Sequence, residues 1–382
     1  MKRGFILVCI LIWGCNQKPD TLNLNVINFY SNPGTEISNL SDIATDIEYI
    51  PLQVSGACLA DIRIIGDRYY IQNCSQEIEC LDTNGRYLYK LSKKGNAADE
   101  YMALANFDVN SYGNLLAVGT YKAIKIYEIN DTGFVFLKSI DNFNPCNFSF
   151  VPGKNNLLLS CDNLGTVPYI DILISPEGDT LTIRPNYNRL KKNLEPSIFI
   201  RGIHYKYNNA IHFREPVNDT IYTVDSSDNI RPYLVLDSHG QQVTQKILAR
   251  TQSGKSMMER WNYFSIMKFS ETSRYMIGLI IYKKAEFIRI YDKALNKYCS
   301  FAKGSVYIKD NIAGGVDFMP LYCDGSKLYY WISSSKLKEH VAGEGFLNSE
   351  VSNPEKRASL KRLADSLQDP ESQILIVVTP KE

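Results

Sequence analysis

The chain has 382 residues, of which 45% are hydrophobic, 12% aromatic and 22% charged. This composition excludes a disordered chain and is typical of a well-packed β protein. The formal net charge is +1 and no block of lysine or arginine occurs, so the sequence predicts no nucleic acid among the partners. Length alone fits one large β domain or two smaller domains.

The N-terminus has the pattern of an export signal. Lys2 and Arg3 precede an apolar run over residues 4–13, which is too short to span a bilayer. The run ends in LIWGC, which resembles a bacterial lipobox with Cys15 as the acylated residue. We therefore expect residues 1–15 to be a lipoprotein signal peptide, residues 16–22 a tether, and acyl chains on Cys15 to hold the mature protein on a membrane outside the cytoplasm. The alternative is an ordinary signal peptide in which the cysteine occurs by chance.

The stretch from Ile62 to Leu91 predicts a four-stranded antiparallel sheet. It is rich in β-branched and aromatic residues, and Gly66-Asp67 and Asn84-Gly85 are typical hairpin turns. Four short strands in about thirty residues are the pattern of a propeller blade. Further units recur at the spacing of about 40 residues that blades show; they span residues 107–140, 147–183, 203–236, 262–301 and 317–332. We therefore predict an all-β fold, a six-bladed β-propeller over residues 23–382.

Residues 332–370 interrupt the β pattern with a predicted helical insertion in the last blade. The stretch PEKRASLKRLADSLQ has apolar residues at helical spacing, namely Ala358, Leu360, Leu363, Ala364 and Leu367. This amphipathic helix either packs on the propeller's own edge or binds a partner. The strand QILIVVT then completes the sixth sheet, and we expect an N-terminal strand such as residues 24–29 to lie beside it and close the ring.

Several segments together resemble one family. They are IEYIPLQ (residues 47–53), GNAADEY (95–101), NDTIYTVDSSDNIRPYLVLDSHG (218–240) and the closing DPESQILIVV. The chain resembles the six-bladed β-propeller lipoproteins of Gram-negative gut bacteria, which are similar in shape to NHL-repeat and TolB-like propellers. The resemblance implies an outer-membrane lipoprotein on the periplasmic or cell-surface side, and it implies no activity. Ala97 and Ala98 stand where this family usually has glycine and proline.

The cysteines suggest two disulfides. Cys146 and Cys161 are placed symmetrically about a predicted hairpin turn, and Cys74 and Cys80 bracket another turn. An exported protein folds under oxidising conditions, in which such pairs form disulfides; buried free thiols are the alternative. Neither pair has CxxC spacing and no histidine lies near them in the sequence, so we expect no zinc or other metal.

The sequence offers few candidates for chemistry. His204 and His212 lie eight residues apart on neighbouring predicted strands, with Tyr205 and Arg214 close by, and Tyr101 follows the first blade. We treat these five as candidate binding residues, although ordinary structural roles are the simpler explanation of them. The sequence contains no nucleophile elbow and no phosphate-binding loop, so we assign no catalytic residue and no cofactor.

Three functional hypotheses fit these patterns. The leading one is a lipid-anchored, non-catalytic module that binds a peptide, a glycan or another envelope protein through loops at one face. The alternative is a propeller hydrolase or lyase acting on a glycan or lactone, which requires His204, His212 and several carboxylates to converge at the central channel. A structural envelope protein is the third; its helix over residues 355–367 would dock a partner through an exposed apolar stripe.

Overall fold

The computed structural model describes residues 24–56, 58–120, 123–141, 147–161, 168–187, 202–215, 217–244, 246–247, 254–302 and 304–382. The expected signal peptide with Cys15, the tether over residues 16–22 and Cys146 lie outside the described residues. Among the described residues, no helix is both long and apolar enough to cross a membrane.

The strands are, in chain order, β1 (Asn25–Ile27), β2 (Thr35–Ile37), β3 (Ala44–Leu52), β4 (Leu59–Ile65), β5 (Arg68–Asn73), β6 (Ile78–Asp82), β7 (Tyr87–Leu91), β8 (Asn106–Val109), β9 (Leu115–Gly119), β10 (Ala123–Asn130), β11 (Gly133–Asp141), β12 (Asn147–Phe150), β13 (Leu157–Ser160), β14 (Tyr169–Ile174), β15 (Thr180–Pro185), β16 (Ile203–Tyr207), β17 (Ala210–Arg214), β18 (Thr220–Val224), β19 (Ile230–Leu236), β20 (Ser265–Glu271), β21 (Tyr275–Tyr282), β22 (Ala285–Asp292), β23 (Lys297–Phe301), β24 (Tyr322–Cys323), β25 (Leu328–Ser333) and β26 (Gln373–Pro380). Three α-helices lie between β25 and β26: α1 (Ser334–Ala342), α2 (Glu344–Asn348) and α3 (Pro354–Ser366). Short 3₁₀ helices cover Leu40–Asp42 and Gly254–Asn262.

These strands form six antiparallel sheets, which are the blades of a six-bladed propeller. Blades 1 to 5 are β4–β7, β8–β11, β12–β15, β16–β19 and β20–β23, and blade 6 consists of β24, β25, β26 and β3. The predicted fold class is therefore confirmed. The turns follow the expected chemistry: Gly85 has a φ of +77°, and the Asp82 carboxylate accepts backbone hydrogen bonds from Asn84 and Arg86, both at 2.9 Å.

The ring closes differently from the prediction. The strand beside β26 is β3, which pairs antiparallel with it from Leu52 opposite Gln373 to Ala44 opposite Pro380. The expected closing segment, residues 24–29, contributes β1 instead, which adds a parallel fifth strand to β19 in blade 4. β2 extends blade 5 in the same way, beside β23. The nine-residue β3 matches the length of β26, whereas the three-residue β1 could satisfy only part of its edge.

The helical insertion packs on the propeller. Leu360, Ala364 and Leu367 of the α3 region are buried together with Leu337 of α1, and all four join a core cluster with residues of blades 5 and 6 such as Ile288. Leu363 is half-buried against the same cluster and Ala358 is exposed, so the protein itself covers most of the apolar stripe that the partner-docking hypothesis needs exposed. The Asn353 side chain accepts a hydrogen bond from the backbone of Lys356 at the start of α3.

One predicted disulfide is wrong. Cys74 is bonded to Cys58, with a Cα–Cα distance of 5.6 Å, and not to Cys80. Cys80 of β6 lies opposite Tyr70 of β5, and its side chain points into the core between blades 1 and 2. Side chains alternate between the two faces of a strand, and the position of Cys80 places its side chain on the face that packs against blade 2. The pairing of Cys146 with Cys161 stays a prediction, since Cys146 lies outside the described residues.

Candidate binding site in the central channel

The first strands of the six blades surround a central channel with a volume of about 310 Å³. Five of these strands place two polar residues each in its wall. The pairs are Asp61 and Arg63 on β4, Asn106 and Asp108 on β8, Asn147 and Ser149 on β12, His204 and Lys206 on β16, and Lys268 and Ser270 on β20. Residues two apart on a strand share a face, so a polar-x-polar pattern on each first strand produces a polar channel wall.

Asp108 is the centre of the charge network in the wall. Its fully buried carboxylate accepts hydrogen bonds from Arg63 Nε at 3.2 Å, from Lys206 Nζ at 2.7 Å and from the Phe150 backbone N–H at 2.8 Å. Arg63 also pairs with Asp61 at 2.9 Å. Burial acts to lower the pKa of Arg63, but the two carboxylates outweigh it and the pKa is raised. This network joins blades 1, 2, 3 and 4.

A chain of amides continues around the wall. Asn106 Nδ2 donates to Asn147 Oδ1 at 2.7 Å, and Asn147 Nδ2 donates to the Gly202 carbonyl at 2.9 Å. Both amides are therefore used in joining blades 2, 3 and 4. These amides hold the channel in its shape, and the hydrogen bonds just described are made to protein groups and not to a ligand.

His204 faces the channel, but both of its ring nitrogens have partners. Nδ1 lies 3.1 Å from Ser149 Oγ and Nε2 lies 2.7 Å from Ser160 Oγ. Ser160 in turn donates to Asp171 at 2.6 Å. Desolvation lowers the pKa of His204 to about 3, with Asp108 opposing the shift, so the ring is neutral at pH 7. A neutral imidazole held at both nitrogens is a structural link and not a free general base.

Lys268 differs from the other cations of the channel. Its Nζ donates to the Leu321 carbonyl at 2.9 Å, and no carboxylate among the described residues pairs with it. Lys268 is solvent-exposed at the channel; partial desolvation by the channel walls lowers its pKa, and Asp61 partly offsets this effect. Asp61 and Asp108 balance Arg63 and Lys206, so Lys268 is the positive charge in excess. Met267 beside it is 50% exposed.

The other four candidate binding residues predicted from the sequence do not lie together at one site. The Tyr205 hydroxyl donates to Glu271 of blade 5 at 3.3 Å, and His212 is buried against Tyr205 with 5.0 Å between ring centroids. Arg214 is buried and pairs with Asp219 at 3.7 Å. Tyr101 lies outside the channel, where its hydroxyl donates to the Gln76 carbonyl at 2.8 Å and fixes the loop after blade 1.

His204 and His212 therefore do not converge. They sit on adjacent strands at neighbouring register positions, so their side chains lie on opposite faces of the blade. The enzyme hypothesis required both of them, with free carboxylates, at the channel. Within the described residues, no group of three or more histidine, cysteine, aspartate or glutamate side chains is placed to hold a metal ion.

Sequence reasoning missed the charged residues that dominate the channel. Asp61, Arg63, Asp108, Lys206 and Lys268 were not singled out. A signal was nevertheless present, because the first strand of a blade lines the channel and a polar-x-polar pair there points inward on one side. An ordinary half-buried strand has the same alternation, so the pattern becomes informative only when the first strand of each blade is known.

The chain is similar to known proteins in its sequence and in its architecture. The model of a family described as a domain of unknown function, DUF4934, matches residues 24–379. The chain belongs to this family. A Bacteroides fragilis protein, whose name describes it as exported, has a crystal structure with a TM-score of 0.71 to this one; it is 18% identical, and the match covers 94% of this chain and 100% of that one. At that identity the likeness shows a shared fold.

A second solved structure comes from a member of the DUF4221 family of Bacteroides vulgatus. It has a TM-score of 0.49 and is 10% identical, and the match covers 88% of this chain and 97% of that one. No curated protein matches this DUF4934 chain.

Proposed function

We propose that this DUF4934 protein is a non-catalytic binding protein of the cell envelope, lipid-anchored through Cys15, which holds a small anionic ligand in its central channel. The observation that carries the proposal is Lys268, a cation at the channel whose one hydrogen-bond partner among the described residues is a carbonyl. A bound carboxylate or phosphate would restore the pKa of Lys268 that enclosure lowers. A volume of about 310 Å³ lies at the lower end of the range of small-molecule sites, about 300–1,000 Å³.

The rest of the wall supports specificity over catalysis. Asp108, Arg63 and Lys206 already satisfy one another, and both nitrogens of His204 are occupied. The polar side chains of the wall are therefore already fixed before a ligand binds, and one cation is available to bind an anion. Within the described residues of the wall, none of these four groups is free to act as a general acid or base.

A thermal-shift titration of the full chain in detergent tests the ligand. Succinate, citrate, phosphate and sulfate are the acidic probes, and succinamide is a neutral control. Binding raises the melting temperature by mass action, and we expect at least one acid to do so. Lys268→Met should weaken the binding about tenfold or more, which corresponds to about 1.4 kcal/mol.

A matched control is Lys361→Met, because Lys361 is an exposed lysine on α3 that pairs with Asp365 at 3.3 Å. This variant should bind like the wild type. The proposal is wrong if no acid raises the melting temperature, or if Lys268→Met and Lys361→Met bind equally well.

The anchor has its own test. An exported neighbour of the same fold and the lipobox-like LIWGC support acylation of Cys15. Cells fed an alkyne fatty acid should label the wild-type chain and not Cys15→Ser, and the wild type should fractionate with membranes. An exported, processed but unlabelled wild-type protein would instead indicate an ordinary signal peptide.

A further inference from the structure

A second cavity lies on the face opposite the helical insertion. In each blade, the turn between the first and second strands lies on one face of the propeller, and the connection between the second and third strands lies on the other face. In blade 6, α1–α3 form the connection between the second and third strands. The cavity, which we call the turn-side pocket, lies between blades 3 and 4 and has a volume of about 500 Å³. Its walls are the turns at residues 151–154, 207–210 and 223–226, and His212 and Tyr233 line it between them.

The charged side chains of the turn-side pocket pair with neighbouring protein groups. Lys154 Nζ donates to Asp228 at 2.6 Å and to the Ser226 carbonyl at 2.9 Å. The Asp225 carboxylate pairs with Arg231 at 2.5 Å and accepts two backbone N–H groups of its own turn. No net charge remains to attract an ion, so the pocket is suited to an uncharged ligand.

His212 is a buried polar group in the wall of the turn-side pocket. It is only 3% exposed, and within the described residues neither ring nitrogen makes a hydrogen bond of normal geometry. Burial lowers the pKa of His212 to about 4, against a smaller opposing effect of the Tyr207 backbone. The neutral ring therefore offers one donor and one acceptor. A polar group that lacks a good hydrogen bond away from water costs free energy, so a ligand that hydrogen-bonds this ring would recover it.

Neutral polar groups and aromatic rings surround His212. Asn208 and Asn209 have φ angles of +49° and +54° at the tip of the β16–β17 turn, and both side chains are exposed at the pocket. The Tyr207 and Tyr233 rings are half-buried in its wall, with Tyr233 4.2 Å from His212 between ring centroids. The pocket thus combines aromatic faces with uncharged donors and acceptors.

We propose that the turn-side pocket binds a neutral mono- or disaccharide, with sugar hydroxyls on the ring of His212 and a sugar ring against Tyr207. A sugar carries several hydroxyls, so one can donate to the unprotonated ring nitrogen and another can accept from the protonated one. The apolar face of a sugar ring suits an aromatic side chain, and the amides of Asn208 and Asn209 can bind further hydroxyls. A peptide fits less well, because the walls are turns and offer no free sheet edge to pair with its backbone.

Two variants test this site without disturbing the fold. Asn208→Gly with Asn209→Gly removes both amides while glycine keeps the positive φ angles. His212→Phe removes the two nitrogens and keeps an aromatic ring; replacing an unsatisfied polar group with an apolar one of similar shape should not destabilise the protein. Asn296→Gly is the matched control, since Asn296 has a φ of +50° in a turn of blade 5.

The measurement is isothermal titration calorimetry of the full chain in a non-glycosidic detergent, with maltose, cellobiose, lactose and the methyl glycosides of glucose, galactose and mannose. At least one sugar should bind the wild type, each pocket variant should weaken it about tenfold, and Asn296→Gly should not. Lys268→Met should bind the sugar normally, so failure of the channel proposal leaves this result unchanged. The inference is overturned if no sugar binds, if a neutral peptide of the same concentration range binds instead, or if the pocket variants bind as the wild type does.

Discussion

Replacing Asp108 with asparagine should measure how strongly the channel network holds the blades together. The variant keeps the shape of the side chain and removes its charge, so Arg63 at 3.2 Å and Lys206 at 2.7 Å lose their shared partner. Hydrogen bonds to charged groups contribute about 1.5–3 kcal/mol each. Breaking a buried ion pair costs about 3–5 kcal/mol. The side chains of Arg63 and Lys206 are 15% and 25% exposed, so water screens part of this cost.

We therefore expect Asp108→Asn to lower the free energy of unfolding by about 3 kcal/mol. For a domain of about 360 residues, this corresponds to a fall of about 4 °C in melting temperature. Urea denaturation, followed by tryptophan fluorescence, measures the change in free energy directly. The control is Asp131→Asn in the exposed β10–β11 turn, which should change stability by less than about 0.5 kcal/mol.

A double mutant identifies the source of the loss. If unpaired cations cause it, Lys206→Met should destabilise the Asp108→Asn protein less than it destabilises the wild type, so the two changes should not add. Additive effects together with a loss below about 1 kcal/mol for Asp108→Asn would refute the reasoning. The channel pairs would then be screened by water as ordinary surface pairs are.

Three further changes test other parts of the fold. Gly34→Ala should release β2 and speed proteolysis near residue 34 more than Gly240→Ala does, because both glycines have a φ of +70° but only a Cβ at Gly34 would meet a carbonyl, at 1.8 Å; equal cleavage would contradict this. His212→Gln should flatten the pH dependence of stability. In the folded wild-type protein the pKa of this imidazole is lowered to about 4. Its contribution to the free energy of unfolding is therefore present above pH 6.5 and falls as the pH drops towards 4, by about 2 kcal/mol between pH 7 and pH 5. An unchanged slope of stability against pH would show that this histidine is not the source. Changing Cys58 and Cys74 to serine should lower the free energy of unfolding by about 3 kcal/mol, as expected for a disulfide that joins residues 16 apart, and a loss below about 1 kcal/mol in denaturant would count against it.

The blades could be predicted because local chemistry defines them. Alternating β-branched and aromatic residues between Asn-Gly and similar turns give antiparallel hairpins with little help from the rest of the chain. The ring closure could not be predicted in the same way. Both β1 and β3 have strand-like sequences, and which of them lies beside β26 depends on matching strand length across the ring.

For the candidate site, too, local sequence identified some residues, whereas their contacts depend on parts of the chain that are distant in sequence. His204 was singled out by residue type and does face the channel, but its two serine partners come from blade 3 and are far away in sequence. The predicted pairing of Cys74 with Cys80 was wrong because the direction of the Cys80 side chain depends on the register of β6. Lys268 carries no sequence signal of its own, because its importance comes from its place in the channel, where no carboxylate among the described residues forms an ion pair with it.

The pairing of β3 with β26 determines when the protein can finish folding. β26 lies between β25 and β3 in blade 6, so this sheet cannot form until residues 373–380 are available. Contacts between such distant parts of a chain form slowly. A chain that crosses a membrane N-terminus first would hold β3 without a partner throughout its passage, with an unpaired strand edge exposed to aggregation. A truncation before residue 373 would remove the strand that joins β3 to the rest of blade 6, so we expect quality control of this protein to depend on its final strand.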